Sequence, residues 1–425
     1  MKATIMPGKA KGTVMAPPSK SMAHRMLMGA GLAMGTSVIG NIDLSEDIKA
    51  TLGILEALGS EYTIENRTVT MKGIGGKKVE VHQVLDTKES GSTLRFFVPI
   101  LLTGGGKSKL TGAKSLFSRP LGIYEDICKE QGIFFHKTED SLELEGQLKA
   151  THYKIPGNIS SQFITGLLCA LPLLNEDSVL EVIPPVESKA YIKMTLEALE
   201  IYGIKVERKD NTYYIPGNQT YQAVNNMVEG DYSNAAFLDA FDLIGGNVQV
   251  EGLKEDSLQG DKVYREYYQI LQQSVLHDCS TDAENISSCK GELPQMDISE
   301  CPDLGPILIG MAAAKQGAIF TGTKRLKIKE SDRGTVMAEE LKKFGIKVDV
   351  QENQIIVYPG KLQKPNEILD SHNDHRIAMT LATLCTLTGG TIEGCMAVNK
   401  SYPGYYDAIQ SLGIQVKIED EKIED

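Results

Sequence analysis

The chain has 425 residues, 41% of them hydrophobic and 24% charged, with a formal net charge of -12 at neutral pH. That length is enough to bury two or more cores and argues against disorder. The acidic balance excludes broad binding to nucleic acid or to an anionic membrane, so an anionic ligand must find locally concentrated Lys and Arg.

The opening MKATIMPGKAKGTV lacks the apolar core of a signal peptide and the Arg/Ser-rich character of a transit peptide. No segment approaches the roughly 18 unbroken apolar residues of a membrane span. Seven cysteines (Cys128, Cys169, Cys279, Cys289, Cys301, Cys385, Cys395) form no CxxC pair, which fits reduced thiols. The expectation is a cytoplasmic protein acting as a monomer.

Taken in chain order, the predicted elements repeat six times. A small-residue turn leads into a short β-type run at GTSVIGN from Gly35, GGKSKLTG from Gly105, EDSVLEV from Glu176, GGNVQVEG from Gly245, QGAIFTG from Gln316 and GGTIEG from Gly389. Successive starts are 70, 71, 69, 71 and 73 residues apart, a period that signals a repeat architecture. Before each turn lies an apolar stretch of helical length: HRMLMGAGLAM, RFFVPILL, QFITGLLCALPLL, NAAFLDAFDLI, LGPILIGMAAA and RIAMTLATLCTL. Helices apolar on nearly every side are expected in the interior. Met15, Met22, Met26, Met28 and Met34 read as core filler.

A second, amphipathic helix follows each strand and in five units ends at Gly59, Gly132, Gly203, Gly345 or Gly413, the position of a helix-terminating glycine. The fourth unit, with YYQILQQSVLHDC, has none there. Strand pairs follow, such as Ile346 to Gly360 with a turn at Glu352-Asn353. Six units are too many for one core and divide most simply as three plus three.

Polar clusters stand before the six apolar helices, and Ser21, Ser92, Ser161, Ser233, Asp303 and Asp374 recur at intervals of 71, 69, 72, 70 and 71. Such residues cap helices, each contributing about 1 kcal/mol. Helix N-termini also attract anions. For Ser233 and Asn234 both readings stay open. Lys20, Arg25, Arg95, Arg119, Lys329, Arg333, Arg376 and Lys400 fall in or near these clusters. In an acidic chain, that many cations at repeat-equivalent or loop positions suggest a multiply anionic substrate. GGGKS at Gly104 to Ser108 is not a P-loop, because Leu101 stands where the motif needs Gly. His372 and His375 lack the further ligands of a zinc set.

The stretches PPSKSMAHR from Pro17, ESGSTLRF from Glu89, SRPLG from Ser118, NISSQF from Asn158, EGDYSNAAF from Glu229, PDLGPIL from Pro302, IKESDR from Ile328, NDHRIAM from Asn373 and NKSYPGYY from Asn399 resemble the EPSP synthase family over essentially the whole length. The resemblance implies an α/β fold of two similar inside-out domains, each of three βαβαββ repeats with buried helices. Its domains would be 19–228, mainly phosphoshikimate-binding, and 1–18 with 229–425, with the active site in the cleft between them. The implied reaction is enolpyruvyl transfer from phosphoenolpyruvate to the 5-hydroxyl of shikimate 3-phosphate.

By the same resemblance, shikimate 3-phosphate is assigned to Lys20, Ser21, Arg25, Ser160, Ser161, Gln162, Ser188, Asp303 and Lys329. Phosphoenolpyruvate is assigned to Lys20, Gly91, Arg119, Gln162, Arg333, Arg376 and Lys400. Asp303 would orient and deprotonate the hydroxyl, Glu330 would move the methylene proton, and Lys20 would be the other acid/base. No metal or organic cofactor is implied. Glu89 and Arg325 stand where many members have Asn. The sister family acting on UDP-N-acetylglucosamine uses a loop Cys, which Lys114 to Arg119 lacks. A non-catalytic anion-binding descendant would be expected to lose Lys20, Asp303 or Glu330, and all three are present.

Overall fold

A computed structural model describes residues 1–75, 79, 83–273 and 293–420. Its fold is mixed α/β. Packing divides the chain into two compact units: a middle unit of Pro18–Glu229 with Asp256–Gln259, and a two-ended unit of Met1–Pro17, Gly230–Glu255 and Gly260–Asp425. The short 256–259 excursion, assigned from sequence to the two-ended unit, falls with the middle one. Hydrogen bonds explain why, since Ser257 Oγ and Gln259 Nε2 both donate to Glu229 Oε1, at 2.9 and 2.8 Å.

All six turn-and-strand segments form strands, and five sheets share one topology. In the first repeat Asn225–Met227 runs parallel to Thr36–Gly40, which pairs antiparallel with Thr68–Lys72, itself the partner of Glu61–Glu65. The last repeat keeps this order by borrowing: Lys2–Ile5 lies antiparallel to both Gly390–Glu393 and Val416–Glu419. The two ends of the chain are thereby stitched into one sheet. In the fourth repeat Asn247–Glu251 pairs with Lys11–Met15. Its second helix is described over Tyr264–Gln273, and the rest of YYQILQQSVLHDC, including Cys279, lies outside the described residues, as does Cys289.

The six apolar stretches are helices: Lys20–Leu32, Gly91–Gly104, Ser161–Ala170, Tyr232–Leu243, Gly305–Ala314 and His375–Thr388. Three pack together in each unit as its core, and the strands, half-exposed, form the outer layer. This is the arrangement that all-round apolarity demands. Helices approach so closely that a Cβ at Gly310 would stand 2.4 Å from Thr380 Cγ2. The five glycines after the amphipathic helices all have φ between 70° and 100°, the left-handed turn that ends a helix.

Two local expectations are corrected. Met22, Met26 and Met28 are core residues, but Met15 and Met34 are exposed, because one ends an outer strand and the other lies past the helix end. The caps sit one or two residues earlier than the repeating positions at four helices: Ser19 Oγ accepts from Met22 N, Ser90 Oγ from Thr93 N, Ser160 Oγ from Gln162 N and Asp231 Oδ1 from Asn234 N. Asp231 caps the fourth helix and Asp374 the sixth. Ser21, Ser92, Ser161 and Ser233 are thus inside the first turn, free of capping duty. No helix among the described residues is long and apolar enough to cross a membrane.

Candidate active site

In the middle unit the first helix presents Lys20, Ser21 and Arg25 from its first two turns. Lys20 Nζ lies 2.9 Å from Asp47 Oδ2. Arg25, 4% exposed, donates from Nε to Thr195 Oγ1, from Nη1 to the Ser21 carbonyl, and from Nη2 to Thr165 Oγ1 and the Tyr191 carbonyl, all within 2.6–3.2 Å. Every one of these acceptors is neutral. Burial pulls the guanidinium down to about 10, a cost that a bound anion would offset. The Tyr191 carbonyl ties Arg25 to the turn that begins at Ser188, whose left-handed backbone (φ 54°) starts the helix Lys189–Ile201. Ser160 and Ser161 open the helix that carries Thr165.

A second cluster forms around Gly91. Arg95 Nη1 donates to Gln162 Oε1 at 2.6 Å and Nη2 to the Pro120 carbonyl at 3.2 Å, while Gln162 Nε2 donates to Ser92 Oγ at 3.0 Å. A Cβ on Gly91 would meet Arg119 Nη1 at 3.1 Å, Arg95 Nη1 at 3.3 Å and Gln162 Oε1 at 3.6 Å. Two buried guanidiniums therefore flank the first turn of a helix whose own N–H groups favour anions. Between the clusters runs a buried chain, His24 Nδ1 to Thr51 Oγ1 to Thr93 Oγ1, each link 2.8 Å. Burial first, then the charges of Lys20 and Arg25, hold the His24 imidazolium well below the ordinary histidine value.

In the two-ended unit the cations are clasped by carboxylates. Arg333, 1% exposed, donates from Nε to Asp374 Oδ2 (2.8 Å), from Nη1 to Asp303 Oδ1 (2.9 Å), and from Nη2 to Glu330 Oε2 (2.7 Å) and Asp374 Oδ1 (3.3 Å). Asp303 also meets Lys329 Nζ at 3.0 Å and Arg376 Nη2 at 3.3 Å. Burial pushes the Asp303 carboxyl up, but Lys329, Arg376 and Arg333 together outweigh it and hold the group well below the usual carboxylate range. Lys329 is lowered mainly by burial, with Asp303 opposing and Arg325 and Arg333 adding to the shift. Arg325, one of the departures from the family pattern, is thus buried beside this cluster. Glu89, the other departure, stands in the turn just before the Ser90 cap. Lys400 Nζ donates to the Asn373 carbonyl at 2.6 Å, next to the Asp374 cap.

The structure therefore groups Lys20, Ser21 and Arg25 on one helix, Gly91, Arg119 and Gln162 in one cluster, and Asp303, Lys329, Glu330, Arg333 and Arg376 in one charge network. Three residues that join these clusters received no site role from the sequence. Asp47 holds Lys20 from an amphipathic helix with nothing local to mark it. Arg95 follows the second cluster and is noticed there only as one cation among several. Asp261 is buried, accepts from Ser233 Oγ, and is raised to about 6 by burial and by Asp303, with Arg376 opposing. Among the described residues no group of three His, Cys, Asp or Glu is arranged to hold a metal ion. The described cysteines are all buried and free, with burial pushing Cys128, Cys169 and Cys385 up to about 12.

Residues 6–409 match the family model described as EPSP synthase (3-phosphoshikimate 1-carboxyvinyltransferase). The 3-phosphoshikimate 1-carboxyvinyltransferase of Clostridium beijerinckii is 41% identical, over 96% of this chain and 97% of its own. That of Clostridium perfringens is also 41% identical, over 97% and 98%. The solved structure of EPSP synthase from Acinetobacter baumannii matches with a TM-score of 0.76 at 24% identity, covering 98% of this chain and 100% of that one; at that identity the likeness speaks to the fold. With the family model spanning nearly the whole chain and relatives this similar over their full length, the chain belongs to the EPSP synthase family.

Proposed function

We propose that this chain transfers the enolpyruvyl group from phosphoenolpyruvate to the 5-hydroxyl of shikimate 3-phosphate, releasing phosphate, in aromatic amino acid biosynthesis. The attacking hydroxyl oxygen bonds to C2 of phosphoenolpyruvate while the methylene carbon takes a proton, giving a tetrahedral ketal phosphate. Loss of phosphate and of one methyl proton then restores the carbon-carbon double bond and gives the enol ether.

The middle unit is assigned the larger share of shikimate 3-phosphate recognition. Lys20, Ser21, Arg25, Ser160, Ser161, Gln162 and Ser188 supply cations and hydroxyls to its phosphate and ring, with Asp303 and Lys329 at the reacting hydroxyl. Phosphoenolpyruvate takes Lys20, Gly91, Arg119, Gln162, Arg333, Arg376 and Lys400. Preplaced cations stabilise charge that develops in addition and elimination, an effect that is large in a dry site.

The observation that carries this reading is the Asp303 carboxylate, shared by Lys329, Arg333 and Arg376. With all three cations on it, Asp303 is a weak base. Anionic substrate groups that draw those cations away raise its basicity, so Asp303 gains the strength to take the hydroxyl proton only when both substrates are present. Glu330, hydrogen-bonded to Arg333, is assigned the methylene proton and Lys20 the other acid/base step.

We place the enzyme in the cytoplasm as a monomer; the buried free thiols support the first, and light scattering on the purified chain tests the second. The reaction is tested by phosphate release from phosphoenolpyruvate. Release that depends on shikimate 3-phosphate, with the enol ether identified by mass spectrometry, is expected. Release with UDP-N-acetylglucosamine as acceptor, or none with either, would refute it.

A further inference from the structure

The first turn of the helix Tyr232–Leu243 is chemically odd. The helix is buried along most of its length, and its cap is already supplied by Asp231, whose Oδ1 accepts from Asn234 N at 3.0 Å. Nothing in the helix itself asks for a carboxamide at position 234, and alanine would suit both the helix and the apolar surroundings. Yet Asn234 is fully buried, and a buried amide is costly unless its hydrogen bonds are made.

Its partner lies 167 residues away. Asn234 Nδ2 donates to Ser401 Oγ at 3.1 Å, and the same hydroxyl lies 3.4 Å from Asn234 Oδ1. Ser401 is itself buried, and its N–H closes the turn Cys395–Lys400 on the Val398 carbonyl at 3.0 Å. The residue just before Ser401 is Lys400, whose ammonium reaches the Asn373 carbonyl. Lys400 is therefore pinned at both ends. Its backbone is tied through Ser401 to the helix at Asn234, and its tip is steered to the residue preceding the Asp374 cap that also grips Arg333.

We infer that Asn234 is a positioning residue for phosphoenolpyruvate: through Ser401 it fixes the backbone of Lys400 so that the ammonium is directed at the anionic groups of that substrate. Asn234 touches no substrate in this account. It removes the freedom of a short 3-10 turn that would otherwise let a long, half-exposed lysine wander, and a positioned cation binds better than a mobile one because less entropy is lost on binding. The inference rests on the assignment of Lys400 to phosphoenolpyruvate made above.

The test is steady-state phosphate release with Lys400→Met, Asn234→Ala, Ser401→Ala and the double variant Asn234→Ala/Lys400→Met. Ser401→Ala changes volume little and serves if Asn234→Ala folds poorly. Expected is a rise of about five- to tenfold in KM for phosphoenolpyruvate for Asn234→Ala and Ser401→Ala, with KM for shikimate 3-phosphate within about twofold. The double variant should be no worse than Lys400→Met alone. A normal KM in both Asn234→Ala and Ser401→Ala, while Lys400→Met is impaired, overturns the inference and leaves the Lys400 assignment standing. Full additivity in the double variant overturns it too, since that is what a merely structural residue gives. A normal Lys400→Met removes the assignment on which the inference stands, and the inference with it.

Discussion

Arg25 in the middle unit and Arg333 in the two-ended unit are both buried guanidiniums with four N–H groups in hydrogen bonds, but their acceptors differ in kind. Arg25 is held by two threonine hydroxyls and two carbonyls; Arg333 is held by Asp303, Glu330 and Asp374. The first arrangement keeps a full positive charge uncompensated by those partners, ready for an anion. The second cancels the charge with carboxylates, two of which, Asp303 and Glu330, are the proton carriers we propose. One fold, built from the same repeat, thus sets a buried cation among neutral acceptors in one unit and among carboxylates in the other, the contrast on which the proposed receiving surface and acid-base network rest. Lys20 stands between the two types, a cation paired with one carboxylate, Asp47, on the receiving surface.

The largest effect that sharpens this contrast is expected at Lys20. Lys20→Met should lower turnover by about 10³-fold, the range of a lost acid-base group, with an unchanged circular dichroism spectrum; near-normal kcat would remove Lys20 from the chemistry. The two arginines should then fail in different ways. Arg333→Leu strands three carboxylates and should cost about 3–5 kcal/mol of stability in urea titration. Arg25→Leu strands only neutral groups, so its main cost should be shikimate 3-phosphate affinity, about 1.5–3 kcal/mol. Equal destabilisation by both would erase the distinction.

A smaller effect is expected from Gly91→Ala, whose methyl must push Arg119 and Arg95 by a few tenths of an ångström. It should raise KM for phosphoenolpyruvate about tenfold, roughly 1.4 kcal/mol, and leave shikimate 3-phosphate binding alone. An unchanged KM would show that the cluster around Gly91 does not receive this substrate.

The smallest effects concern pH and have opposite signs in the two units. His24 is depressed in the folded state, so below about 6.5 the unfolded chain gains the proton first and stability falls with acidification. Asp261 is raised to about 6, so its contribution is full below the ordinary carboxylate value of about 3.9 and is lost as pH rises through about 6. Stability between pH 5 and 8 should therefore fall less on acidification in His24→Gln than in the parent, and more in Asp261→Asn. Parallel curves for all three proteins would deny both groups this role.

Much of the fold was legible because its signals are local and repeated. A glycine ending a helix, or an apolar stretch every 71 or so residues, can be read from a few neighbours and checked against five copies. The caps were misplaced by one or two positions because Ser19 and Ser21, or Ser90 and Ser92, are equivalent as residue types, and only the backbone tells which one accepts the N–H. Ion pairing was the least legible. Asp303 is joined to Arg333 over 30 positions and to Arg376 over 73, and Asp47 is one acid among 56. Residue type therefore showed where charge gathers, but not which charges cancel.

The contrast between an open and a clasped set of cations is tested most directly by calorimetric titration of phosphoenolpyruvate with and without shikimate 3-phosphate. If phosphoenolpyruvate binds Arg333 and its neighbours as proposed, then in the free enzyme it must compete for them with Asp303, Glu330 and Asp374. On the assignment proposed above, shikimate 3-phosphate would place its hydroxyl on Asp303 and loosen that hold. The account predicts at least about tenfold tighter binding of phosphoenolpyruvate when shikimate 3-phosphate is bound; equal affinity in both titrations would contradict it.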